Sequence, residues 1–156
     1  MEIVVQALIG TWFVGSSNFP MWLKGDKINP TFTYSITDKK ANTNVLLDEV
    51  KYLKRGKPKT LTGFDYQDET DPSTFVWRGK GLLSVVRSTW KVALIDPAGQ
   101  WAVIWFSKTL FTPEGIDIIS RTPTLSAETQ THIFALMASD SLLVKHRASL
   151  RPIIHQ

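Results

Sequence analysis

The stretch DIISRTPTLS, residues 117–126, sets an aspartate and an arginine at the two ends of a run of isoleucines. In a β-strand every second side chain shares a face, so Asp117, Ile119 and Arg121 point the same way. A carboxylate held among apolar side chains is hard to ionise, because burial disfavours its charge. Three roles are open to such a group. It can sit hydrated near a rim or pair with a lysine such as Lys108 from the adjoining strand; it can meet the polar end of a ligand; or it can give and take protons as a general acid or base.

Other chemistry is poorly provided for. His132, His146 and His155 lie outside the strand-like runs and are not clustered, so no metal or haem site is expected, and no cofactor. There is no Ser-His-Asp spacing, no phosphate loop and no interleaved basic and aromatic pattern, so no nucleic-acid partner is expected. Cysteine is absent, which removes disulfides and thiolate metal sites alike. The opening MEIVVQALIG is too short for a secretory signal and carries Glu2, and no apolar run is long enough to span a bilayer as a helix. A cytoplasmic location is the expectation.

The elements that must position Asp117 are read from alternation and turn residues. Eight runs rich in β-branched and aromatic residues stand out: TWFVGS, TFTYSI, VLLDEVKYL, TLTGFDY, TFVWRG, STWKVALI, QWAVIWFS and GIDIISR. KINP, DKKANTN, RGKPK, QDETDPS, DPAGQ and TPEG separate them, and DPAG predicts a hairpin. One helix follows. Pro123 stops the last strand, Ser126 is its N-cap and Glu128 stands in its first turn, with Ile133, Phe134 and Met137 on one stripe. After it, LLV or PII is a candidate last short strand.

With 156 residues, 43% of them hydrophobic, the chain is long enough for one domain, 1–156, with a sizeable core. The net charge of +4 comes from scattered basic residues, densest at Lys51–Lys59 and Lys145–Arg151. A solvated surface accounts for them; anionic lipid is the alternative. Consecutive antiparallel strands followed by a helix predict an all-β, eight-stranded up-and-down barrel with one C-terminal α-helix packed outside, a two-sheet sandwich being the other arrangement.

Three stretches are similar to a known family. GTW, Gly10-Thr11-Trp12, resembles the Gly-X-Trp motif of the lipocalins. LIDPAGQWAVIW resembles their second motif, with Asp96 at the acidic position, though the turn is one residue longer than usual and lacks a tyrosine after the aspartate. Arg121 stands where the third motif ends in an arginine. ISRTPTLSAET is especially similar to the bacterial lipocalin and apolipoprotein D branch. The similarity runs through the whole chain in order and implies a calycin barrel, closed at one end and open at the other. It gives Gly10, Trp12, Asp96 and Arg121 structural roles, with the guanidinium lying over the indole in a cation–π contact of about 0.5–2 kcal/mol.

The same resemblance fixes which faces line the interior. Counting from Trp12 puts Val14 and Ser16 inside, and counting from Arg121 adds Ile119 and Asp117. The alignment of TFTYSI gives Phe32, Tyr34 and Ile36; counting back from Asp96 gives Leu94, Val92 and Trp90; TFVWRG offers Phe75 and Trp77. Phe19, Met21 and Trp22, in the first long loop, are expected at the portal, as a lid, a membrane-touching tip or plain packing across the mouth. Apolar walls with few polar groups suit a small hydrophobic ligand such as a fatty acid, a lysolipid or another apolar metabolite. The alternative is an isomerase or cyclase with Asp117 as general acid or base and Tyr34 assisting. A third class is weak peripheral contact with an anionic membrane through the basic runs and Trp22. Monomer and homodimer are both compatible with the sequence.

Overall fold

Each strand-like run forms a strand, and the turns between them carry the residues that turns require. The structure is a computed structural model that describes residues 5–40 and 43–156. In chain order the strands are β1 (Gly10–Ser17), β2 (Lys27–Lys40), β3 (Thr43–Lys54), β4 (Lys57–Gln67), β5 (Thr74–Gly79), β6 (Arg87–Ile95), β7 (Trp101–Phe106) and β8 (Gly115–Ser120). Neighbours in sequence pair antiparallel throughout, and β1 pairs with both β2 and β8. The sheet therefore closes on itself as an eight-stranded up-and-down barrel, which leaves no long free edge.

Two helices flank the barrel. A single turn, α1 (Pro20–Leu23), sits in the β1–β2 connection, and α2 (Ala127–Ala138) packs outside. The Ser126 hydroxyl accepts the Thr129 N–H at 3.1 Å, as the sequence expects of an N-cap, and Glu128 lies in the first turn. Ile133 and Met137 are fully buried against Trp101, Val103, Ile116 and Ile118 of β7 and β8, with Phe134 partly buried beside them. Each such burial is worth roughly 1.5–3 kcal/mol, which is what fixes the helix on this wall. No helix among the described residues is long and apolar enough to cross a membrane.

The last short strand is β9 (Arg151–Pro152), whereas LLV falls in a turn leading to a 3-10 helix, Val144–Ser149. β9 pairs with β1 at Ser16 and Ser17, Ile153 N–H donates to the Gly15 carbonyl at 2.9 Å, and Asn29 and Gln156 exchange two hydrogen bonds. The segment fills the seam where β1 and β2 diverge. KINP, expected as a turn, lies inside β2, where a register shift and Asn29 at φ 54° absorb its irregularity. Residues 41 and 42 of the DKKANTN turn lie outside the described residues.

The closed end is built as the resemblance implies. The Trp12 indole N–H donates to the Leu8 carbonyl at 2.8 Å, and the Arg121 guanidinium lies 3.6 Å over the Trp12 ring. The same guanidinium donates to the carbonyls of Ala7, Ile9 and Thr11 at 2.9, 3.0 and 3.1 Å. Gly10 has φ +108°, and a Cβ there would stand 3.0 Å from Arg121 Nη1. Asp96 folds its own turn, accepting the N–H groups of Ala98 and Gln100.

Candidate functional site

Alternation brings side chains from all eight strands to the barrel interior. Trp12, Val14, Phe32, Tyr34, Leu46, Phe75, Trp90, Val92, Ala102, Ile104 and Ile119 form one buried cluster. Its centre is an aromatic stack: Phe75 lies 4.5 Å and Tyr34 5.7 Å from Trp90, both near parallel. Trp12, Val14, Leu46, Phe75, Trp90, Ile104 and Ile119 are each under 2% exposed, so side chains fill this level. A ligand here must displace them or lie nearer the mouth, where Met21, Val50, Tyr52, Trp77 and Phe106 are only partly buried.

Three positions expected inside are elsewhere. β1 carries a bulge between Val14 and Ser16, with Gly15 as the extra residue, so the inward phase resumes at Ser17 and not at Ser16. Ser17 is fully buried. β6 carries another between Val92 and Leu94, which turns Leu94 onto the outer wall under α2 and brings Ile95 to the inner cluster. A bulge adds one residue to one strand, and side-chain direction has a period of two, so every later residue changes face. Ile36 keeps its phase but is 45% exposed, beside a register shift at Ile36–Asp38. Val14, Phe32, Tyr34, Phe75, Trp77, Trp90, Val92, Asp117 and Ile119 point into the barrel or pack against its inner cluster.

Asp117 is 1% exposed, which removes the rim alternative and the pairing with Lys108. The Ser17 hydroxyl hydrogen-bonds its carboxyl, yet burial still pushes its pKa up to about 7. It is not the only buried acid. Asp48 of β3 and Asp65 of β4 also face inward, 5% and 0% exposed, and neither was singled out by the sequence. Trp90 donates its indole N–H to Asp65 Oδ1 at 2.9 Å, and the Asp48 carboxyl is near enough to act on Asp65 electrostatically. Burial raises both, Asp48 to about 6 and Asp65 further, since it also feels the Asp48 charge. Tyr34 lies opposite Asp48 across the β2–β3 ladder; burial, then the charges of Asp48, Asp65 and Asp117, holds its hydroxyl protonated well above the usual range.

Several of these polar atoms have no partner. Oδ1 of Asp48, Oδ2 of Asp65, Oδ1 of Asp117 and Nε1 of Trp77 are buried without a hydrogen bond. Gly63 makes room for the Trp77 indole, since a Cβ there would meet Nε1 and the Arg78 carbonyl. The ion pairs of the described residues lie elsewhere: Asp26 with Lys27 and Lys54, Asp71 with Lys91, Glu114 with Lys145 and His146. The interior is thus a packed aromatic core holding three buried carboxyl groups, each with one oxygen that has no hydrogen bond.

The portal residues pack inward. Phe19 and Trp22 are 6% and 4% exposed, edge-on to Phe106 at 5.3 Å and to Tyr52 at 5.8 Å. They cover the mouth and are not a projecting tip. His146 joins Glu114 and Asn18 outside the barrel, and His155 meets the Val14 carbonyl.

No protein-family model and no characterised relative matches the sequence. Solved structures do match the fold. Lobster apocrustacyanin A1 superposes with a TM-score of 0.71 at 12% identity over 97% of this chain and 79% of that one. The siderocalin Ex-FABP gives 0.67 at 13% identity over 96% and 95%, and the cockroach allergen Per a 4 gives 0.68 at 13% over 99% and 89%. The fold is that of the lipocalins.

Proposed function

We propose that the barrel binds a small, mainly apolar molecule whose polar end is an amine or another hydrogen-bond donor. The observation that carries this is the set of buried acceptor oxygens on Asp48, Asp65 and Asp117, left unpartnered inside an aromatic wall. Unsatisfied buried acceptors cost about 1–3 kcal/mol each, a cost that a donor entering the site would remove. A cationic amine would hold Asp117 ionised, whereas the carboxylate of a fatty acid would be repelled. The fold supports the reading: one structural neighbour is a siderocalin described as functioning through dual ligand specificities. Kinship with the bacterial lipocalin and apolipoprotein D branch, resting on residues 119–129, is part of the same proposal.

Native mass spectrometry with organic extraction identifies what co-purifies, and displacement of a fluorescent probe by dodecylamine, dodecanol and dodecanoate then ranks head groups at pH 7.5. The expected order is amine, alcohol, carboxylate. Dodecanoate binding best would sink the acidic-head reading, and no displacement by any of the three would sink ligand binding in the barrel.

Burial of Asp117 favours a second reading. A carboxyl pushed by burial up to about 7, in an interior that also holds a protonated tyrosine, is suited to moving a proton during isomerisation or cyclisation of a bound metabolite. A conversion assay in which Asp117→Asn keeps full activity would end it.

A further inference from the structure

In an up-and-down barrel alternate connections lie at the same end. The β1–β2, β3–β4, β5–β6 and β7–β8 connections therefore share the open end, opposite the Trp12–Arg121 plug. Two of them present apolar side chains to solvent. The β5–β6 connection, a 3-10 turn at Gly81–Val85, exposes Leu82 (99%) and Val85 (86%). The β7–β8 connection exposes Leu110 (97%) and Phe111 (75%).

The second tip is held in place. Thr109 and Thr112 join hydroxyls at 2.8 Å, Thr109 N–H donates to the Thr112 carbonyl at 3.0 Å, and the Thr109 hydroxyl accepts the N–H groups of Phe111 and Thr112. These bonds close the turn on polar atoms and leave its two apolar residues pointing out. Isolated exposed leucines are ordinary, but four large apolar side chains on two loops of one end need a cover.

Charge says what the cover is. Arg55, Lys57, Lys59, Lys80, Arg87 and Lys108 stand exposed on or beside the same four connections, and a cleft of about 350 Å³ at the β3–β4 hairpin is lined by Lys54, Arg55, Lys57 and Lys59. The acids of this end, Asp26 and Glu114, are already in ion pairs. Apolar tips ringed by exposed cations match an anionic lipid surface.

We propose that the open end docks on an anionic membrane, with Leu82, Val85, Leu110 and Phe111 entering the headgroup region and the surrounding lysines and arginines meeting lipid phosphates. The barrel mouth would then face the bilayer, so an apolar molecule could pass between them without crossing water. The docking does not depend on the ligand reading, because an empty barrel presents the same rim.

The test is co-sedimentation of the full chain with phosphatidylserine–phosphatidylcholine vesicles and with pure phosphatidylcholine, at low and high salt. The expected result is binding to the anionic vesicles, weakened at least tenfold by high salt. The double variant L110S/F111S should also bind at least tenfold more weakly while melting at the wild-type temperature. A second variant, F111W, reads insertion by difference: its emission minus that of the wild type, which has six tryptophans, should shift to the blue when anionic vesicles are added. Absence of binding at low salt would overturn the proposal. So would undiminished binding by L110S/F111S, or a tip that serves only to join two copies, seen as a dimer in sedimentation velocity that L110S/F111S abolishes without changing vesicle binding.

Discussion

Two polar regions, one half-buried and one fully buried, sit in one barrel and are treated in opposite ways. At the closed end the Arg121 guanidinium covers the Trp12 ring and spends three N–H bonds on the carbonyls of Ala7, Ile9 and Thr11. In the interior, Asp48, Asp65 and Asp117 lie as deeply buried as the aromatic residues around them, each with an oxygen that nothing meets. Leaving a polar atom buried without a partner costs free energy, and of these two regions only the interior does so. Stability alone would replace the aspartates with apolar residues, so the contrast separates the part of the molecule that holds the barrel shut from the part kept for something else.

Mutations at the two regions should therefore differ in sign. The largest effect is expected from Trp12→Ala, which removes a fully buried indole and the ring beneath Arg121; chemical denaturation should show a loss of about 3–5 kcal/mol. A loss below about 1 kcal/mol would mean that the plug is not structural.

Asp117→Asn should go the other way. The pKa of Asp117 in the fold, about 7, lies above its value in the unfolded chain, so between roughly pH 4 and 7 the folded state holds the extra proton. Stability is accordingly full below that window and falls as pH rises through it. The wild type should melt at a higher temperature at pH 5 than at pH 8, with Asp48 and Asp65 adding in the same direction. The asparagine variant should gain about 1–3 kcal/mol at pH 8, shrinking towards pH 5. A variant less stable than wild type at pH 8 would show that the carboxylate is compensated after all.

The smallest effect sharpens the closed end. Gly10→Ala forces a side chain into φ +108° and 3.0 Å from Arg121 Nη1, and should cost about 1–2 kcal/mol in the same denaturation experiment.

The sequence disclosed the strands, the Asp96 turn and the Ser126 cap because each is written locally, in alternation or in turn residues. It also placed Trp12 and Arg121, through motifs whose geometry the resemblance carries. It lost the thread at the bulges. Gly15 within a strand was a usable hint of one, but Ala93 looks like any other strand residue, and a single extra residue there moved Leu94 to the outer wall.

Asp48 and Asp65 were missed for a different reason. On β3, Leu46, Asp48, Val50 and Tyr52 alternate with Leu47, Glu49, Lys51 and Leu53, so each face mixes charge with apolar bulk and alternation cannot choose between them. Only pairing with Tyr34 on one side and Gly63 on the other decides it. At the rim the sequence left a lid, a projecting tip and packing across the mouth open for want of the same information. Phe19 and Trp22 have the composition of a projecting tip yet fold inward, while Leu82, Leu110 and Phe111 point out.

The seam filled by residues 151–156 has a consequence for how the molecule is made. β1 precedes the other described strands in the chain, yet one flank of it waits for β8 and another stretch for β9 and Ile153. The intervening strands can zip as hairpins while synthesis continues, since each meets its neighbour in order. The cylinder itself closes only across more than a hundred residues of chain, a long-range step that is slow by topology. Until then the sheet has two open edges and an uncovered aromatic face, the features that make a folding intermediate prone to aggregate.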